Sequence, residues 1–179
     1  MIESACAVAA AALLAVAGLA KLRTPGPAAA MIVGLWPRLR PLRRARAIAR
    51  TAGVVEIGVG VATLAVGNRA ALSLLVACYL VLTVLAVRLA RGAQQVACGC
   101  FGAADAPVGA AHVVVDLACL GVACWAFVEA SSGVSGLYER GIGVGLVGTA
   151  QALLLAALGY LCITALPALS AARRSVGGT

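Results

Sequence analysis

The chain has 179 residues, of which 63% are apolar and only 11% are charged, and its mean hydropathy is +1.06. Soluble domains carry about 25% charged residues, so this chain cannot cover a water-soluble globule with polar side chains. The net charge of +8 does not indicate nucleic-acid binding, because the arginines lie between apolar segments and no groove-binding element is left for them to serve. Composition therefore predicts an all-α integral membrane protein.

Five apolar segments are long enough to cross a bilayer, which takes about 20 mostly apolar residues in a helix. They cover residues 2–22, 51–67, 70–89, 110–129 and 141–166. Backbone groups in lipid must pair internally, and these segments lack the alternation of barrel strands, which favours helices. We expect the first segment to be retained, since no basic region precedes it. The sequence predicts one helical domain over residues 1–179, multi-pass in the cell membrane.

The connection between the first two spans, residues 23–50, differs from a plain loop. A Pro-Gly-Pro run at 25–27 breaks the first helix, and residues 28–36 are apolar but too short to span. We expect Trp36 at headgroup depth, and the arginines that follow, up to Arg46, against anionic lipid.

Lysine and arginine are distributed unevenly over the two sides of the predicted bundle. Twelve fall on one side: Lys21, Arg23, Arg38, Arg40, Arg43, Arg44, Arg46, Arg50, Arg88, Arg91, Arg173 and Arg174. The opposite side holds Arg69 and Arg140. The positive-inside rule then predicts an N-terminus outside, a C-terminus in the cytoplasm and a cytoplasmic connection at 91–109.

Two of the seven cysteines lie outside the apolar segments, in the run Cys98-Gly99-Cys100-Phe101-Gly102. The other five read as small packing residues. A disulfide across a single residue closes a small ring, and Gly99 admits backbone angles that other residues avoid. Such a bond is strained and labile, which suits thiol–disulfide exchange better than stapling. Two alternatives stay open: a metal site completed by His112 or Cys162, and a merely structural turn.

Four further ionisable residues lie in or beside the spans, where a charge at mid-helix costs about 2.5–3.5 kcal/mol. All four fall toward the predicted cytoplasmic side. We expect Lys21 and Glu56 to form a structural ion pair between the first two spans. His112 and Asp116 share a helix face, so that His112 could take a proton from Cys98 or Cys100 while Asp116 orients its ring. An interfacial helix-end role for His112 is the alternative.

The residues resemble those of the MauE family of methylamine-utilisation membrane proteins, related to DoxX-like redox-associated membrane proteins. The resemblance rests on Ala17-Gly18-Leu19-Ala20-Lys21-Leu22, on Glu56 and above all on Cys98-Gly99-Cys100-Phe101-Gly102 with its motif glycines Gly99 and Gly102. It spans residues 13–126. Where the family often carries Arg-Asn at the start of the next helix, this chain has His112-Val113-Val114-Val115-Asp116.

The resemblance implies a redox accessory protein that works beside a thioredoxin-like partner in maturing a disulfide-containing extracytoplasmic enzyme. The leading hypothesis is a membrane thiol–disulfide relay through Cys98 and Cys100, with a quinone as the candidate second couple and no cofactor assigned. The alternatives are a non-catalytic assembly subunit, a metal-binding Cys-x-Cys protein and a small transporter; a homo-oligomer is left open. A maturation role outside the cell would suit an outward Cys pair, yet the arginines predict the cytoplasmic face.

Overall fold

The computed structural model describes residues 2–92, 110–129, 133–139 and 141–176, and every regular element in them is helical. Seven α-helices follow one another in these ranges: α1 (Ile2–Arg23), α2 (Pro25–Leu35), α3 (Leu42–Ala65), α4 (Arg69–Arg91), α5 (Ala110–Glu129), α6 (Ser135–Tyr138) and α7 (Ile142–Val176). A 3₁₀ turn, Pro37–Leu39, separates α2 from α3. Cys98, Gly99, Cys100, Gly102 and Arg140 lie outside the described residues.

Five of the described helices are long and apolar enough to cross a membrane: α1, α3, α4, α5 and the Ile142–Ala165 part of α7. The predicted fold class is therefore confirmed. The second spanning helix begins at Leu42, nine residues before the predicted residue 51. Arginine is a good helix former, and no Gly or Pro interrupts the chain between Leu42 and Arg50, so the basic run continues the helix.

The short apolar helix α2 lies against the first turns of α3 and the last turn of α4. Its Ala28, Ala29, Met31 and Ile32 form a buried cluster with Ala45, Ala49 and Leu89. Proline at the first helical position presets the backbone angle that the helix needs, and Pro25 occupies that position. Packing against two spans explains why a segment too short to cross the bilayer is nevertheless a helix.

The central helix of the bundle is α1, of whose span 56% is buried, against 17–33% for the other four. Ala7 near the start of α1 meets Leu72 near the start of α4 and Ala126 near the end of α5, so the spans alternate in direction. We call the basic end the end of the bundle where α1 and α4 finish and α3 and α5 begin. Which side of the membrane it faces stays a prediction of the charge rule.

Two glycines at the start of α7, Gly141 and Gly145, differ in what surrounds them. Gly141 precedes α7 with φ +113°, a backbone angle that favours glycine, and nothing lies within 4 Å of a Cβ built there. Gly145 packs directly on the ring of Tyr138 in α6. The close approach at Gly145 therefore seats a short connecting helix, whereas the tight contact between two spans lies at other glycines, described below.

Candidate functional site

A buried ion pair joins α1 to α3. Lys21 Nζ lies 2.7 Å from Oε1 and 2.6 Å from Oε2 of Glu56, and the two residues are only 4% and 6% exposed. A lone charge in the bilayer is costly, whereas paired charges with satisfied hydrogen bonds are tolerated there. Lys21 in the last turn of α1 and Glu56 in α3 therefore belong together, and the structure brings these two predicted partners into contact.

Two glycines let the helices approach closely enough for this pair to form. A Cβ on Gly18 would lie 2.5 Å from the carbonyl oxygen of Gly53, and a Cβ on Gly53 would lie 2.7 Å from that of Gly18. One turn of helix separates these positions from Lys21 and Glu56. Small residues are what permits such backbone contact between membrane helices. The approach also continues toward the opposite end, where a Cβ on Gly60 would lie 2.7 Å from the Ala11 carbonyl oxygen.

His112 and Asp116 lie on the buried face of α5, within its first two turns. Both residues are 7% exposed, and the same face continues through the buried Cys119, Ala123 and Ala126. The spacing of four residues places His112 and Asp116 on neighbouring turns. The sequence-based expectation of a shared face agrees with this placement. Both side chains are therefore turned into the bundle.

Tyr79 of α4 is a buried residue that lines a cavity together with Asp116, and the sequence reasoning missed it. Its hydroxyl donates a hydrogen bond of 2.7 Å to the carbonyl oxygen of Ala10 in α1. Tyr79 therefore joins α4 to the central helix α1. The available signal was a tyrosine in the middle of an apolar span, where a hydroxyl must find a partner.

A small cavity separates Tyr79 from Asp116. Its volume is about 20 Å³, and Tyr79, Asp116 and Cys119 are its polar or sulfur-bearing lining groups. The remaining lining is apolar: Leu13, Leu14, Ala17, Leu82, Val115 and Ile163. This volume is enough for about one water molecule, which needs at least two polar partners. Tyr79 and Asp116 supply such partners, so the space suits a single bridging water.

Thr83 adds an unsatisfied hydroxyl one turn along α4 from Tyr79. It is 5% exposed, and within the part of the chain that the structure describes its Oγ1 is buried with no hydrogen-bond partner. A buried hydroxyl without a partner is costly. Tyr79 and Thr83 therefore place two hydroxyl groups on the buried face of α4.

The five cysteines in the described ranges are all free thiols. Those ranges also hold no group of three or more His, Cys, Asp or Glu side chains placed to bind a metal ion. The connection that carries Cys98 and Cys100 leaves α4 at Arg91 and enters α5 at Ala110, and both of these positions belong to the basic end. The ion pair, His112 and Asp116 lie toward the same end.

Comparison with known protein families gives a match over most of the chain. The model of the family described as methylamine utilisation protein MauE matches residues 1–129, which covers α1 to α5. No curated protein and no solved structure matches the chain. The relation to DoxX-like proteins stays a prediction.

Proposed function

Because the chain belongs to the MauE family of methylamine utilisation proteins, we propose that it is a multi-pass accessory protein of the cell membrane that carries out thiol–disulfide exchange through Cys98 and Cys100. Its redox partner is a thioredoxin-like protein. The process served is maturation of a disulfide-containing extracytoplasmic enzyme, in keeping with methylamine utilisation.

One observation carries the proposal. The connection that contains Cys98 and Cys100 is attached to α4 and α5 at the basic end, and the buried ionisable groups of the bundle lie toward the same end. Exchange requires a thiolate, so a proton acceptor near the pair is part of the chemistry. His112 is the third residue of α5 and is buried, and Asp116 follows it by one turn. In the proposed roles, His112 accepts the thiol proton and Asp116 orients the imidazole.

The exchange proceeds in two balanced steps. A thiolate of the pair attacks a sulfur of the partner's disulfide, forming a mixed disulfide and releasing one partner thiolate. The second thiolate of the pair then attacks its mixed-disulfide neighbour, which closes Cys98–Cys100 and releases the second partner thiolate. The partner gains two electrons, the pair loses two, and the reverse sequence oxidises the partner instead.

The pair must exchange two electrons and two protons with a second couple after each turnover, and a quinone is the proposed class. Two cavities between described helices measure about 20 and 10 Å³, and each is too small for a quinone ring.

Trapping of the mixed disulfide tests the proposal. Cys98→Ser and Cys100→Ser each remove one of the two thiols, so at least one variant should accumulate a reductant-sensitive adduct with the partner, and both should lose enzyme maturation. Cys124→Ser is the matched control, since Cys124 is exposed on α5 far from its first turn. Full maturation in both variants, or a pair that stays reduced under oxidant in mass spectrometry, would refute the relay and favour an assembly role.

A further inference from the structure

The corner between α2 and α3 concentrates positive charge without any acidic neighbour in sequence. Six arginines occur within thirteen residues and all are exposed: Arg38, Arg40, Arg43, Arg44, Arg46 and Arg50. No Asp or Glu occurs between Glu3 and Glu56. The corner therefore presents six guanidinium groups that local carboxylates do not neutralise.

Apolar side chains are exposed between and directly after these arginines. Trp36, Leu42 and Ile48 are 43%, 52% and 42% exposed. Beyond Arg50, the exposed large side chains of α3 are aliphatic, beginning with Val54. Exposed apolar side chains beside arginines are unfavourable in water. At the boundary between lipid headgroups and acyl chains, both kinds of side chain are accommodated.

Helix length sets the depth of the arginines. The fifteen residues from Thr51 to Ala65 rise only ~22 Å, which is less than the ~30 Å hydrocarbon core. The core must therefore reach the turns that carry Arg46 and Arg50, whose long side chains can extend to the phosphate layer. The buried faces at Ala45 and Ala49 are already occupied by α2, so the guanidinium groups are held on the outer surface of the corner.

We propose that this corner is a binding site for the headgroup of an anionic phospholipid of the surrounding bilayer. Guanidinium groups bind phosphate with paired, charge-assisted hydrogen bonds, and a basic cluster at the membrane surface attracts anionic lipid. Trp36 and Ile48 contact the upper part of the acyl chains. The site is independent of the thiol chemistry, so either proposal can fail alone.

The two tryptophans of the chain make the site measurable. Trp36 lies at the corner and Trp125 lies in α5 beyond its midpoint, so Trp125→Phe leaves Trp36 as the only indole. The full chain in nanodiscs is titrated with brominated phosphatidylglycerol or brominated phosphatidylcholine, both of which quench indole fluorescence on contact. We expect Trp36 to be quenched preferentially by the anionic lipid, and Trp125, alone in Trp36→Phe, to show no preference.

Two charge-matched double variants locate the effect. R43Q/R46Q removes two arginines from the corner. Each of these two substitutions should lower the affinity for phosphatidylglycerol, relative to phosphatidylcholine, by about fivefold. R88Q/R91Q removes two exposed arginines from α4 at the same basic end and should retain most of the preference. Equal quenching of Trp36 by both lipids, or equal losses in both variants, would overturn the proposal and leave the arginines to an acidic protein partner or to general surface charge.

Discussion

Gly18 and Gly53 face each other across α1 and α3 so closely that a Cβ on either would lie within 2.7 Å of the other's carbonyl oxygen. Real side chains do not tolerate such a distance, so the helices would have to separate. Gly18→Ala and Gly53→Ala should each lower the free energy of unfolding by about 1–3 kcal/mol, measured by titration with SDS and followed by circular dichroism.

Gly58 supplies the matched control for these two substitutions. It lies on the same helix as Gly53, but nothing comes within 4 Å of a Cβ built there. Gly58→Ala should leave stability unchanged or slightly raised, because alanine is the better helix former. A comparable loss of stability in Gly58→Ala would show that α3 needs glycine for backbone flexibility, and that the losses at Gly18 and Gly53 do not come from the contact between α1 and α3.

The Lys21–Glu56 pair is expected to behave as a unit. Glu56→Gln leaves the Lys21 ammonium buried without its counter-ion, and Lys21→Met leaves the carboxylate, so each should destabilise the bundle by about 3–5 kcal/mol. The double variant Lys21→Met/Glu56→Gln removes both charges and should be much closer to the native protein. A double-mutant cycle in SDS unfolding measures this coupling.

Additive losses in that cycle would contradict a pair that acts as a unit. Enzyme maturation is measured in the same variants. If the double variant unfolds like the native protein but does not support maturation, the pair also contributes to function. Glu129→Gln, at the end of α5 and away from the pair, controls for the loss of a carboxylate in general.

The spans were predictable because their length and composition are dictated by the bilayer, and the pairing of Lys21 with Glu56 was foreseen because buried charges in lipid require partners. The start of α3 at Leu42 was not, since a run of arginines carries no signal for spanning. Contacts such as Gly18 with Gly53 depend on the relative rotation of two helices. Because the spanning helices are apolar on every face, the sequence pattern does not indicate which face of one helix meets the other. That choice is made by the packing of the side chains.

Tyr79→Phe should weaken the attachment of α4 to α1. The hydroxyl donates to the Ala10 carbonyl oxygen at 2.7 Å, and hydrogen bonds between membrane helices contribute about 0.6 kcal/mol on average and up to about 1.7 kcal/mol. We expect a loss in that range in SDS unfolding. Ser73→Ala is the matched control, because it removes an exposed hydroxyl whose hydrogen bond to the Ala70 carbonyl oxygen stays within α4; equal effects of both changes would show that the buried hydroxyl contributes nothing particular.

The charge distribution also predicts which side of the membrane the Cys pair faces. Twelve Lys and Arg residues belong to the basic end and its extensions, against Arg69 and Arg140 on the other side, and the positive-inside rule places the richer end in the cytoplasm. In a cysteine-free background, Cys98 alone and Arg40→Cys should react with a membrane-impermeant maleimide only after spheroplasts are permeabilised. Arg69→Cys should react in intact spheroplasts.

The opposite labelling pattern, with Cys98 and Arg40→Cys both reactive in intact spheroplasts, would invert the orientation and place the pair on the side where an extracytoplasmic enzyme matures. Arg40 and Arg69 are the appropriate markers because both are exposed and flank the same spanning helix, α3, at its two ends. Since a single crossing separates them, they must label on opposite sides whichever way the bundle is inserted. Because α3 begins at the end of the bundle where α4 ends, Cys98 and Arg40→Cys must be labelled from the same side. The orientation of the protein is then decided by which side that is.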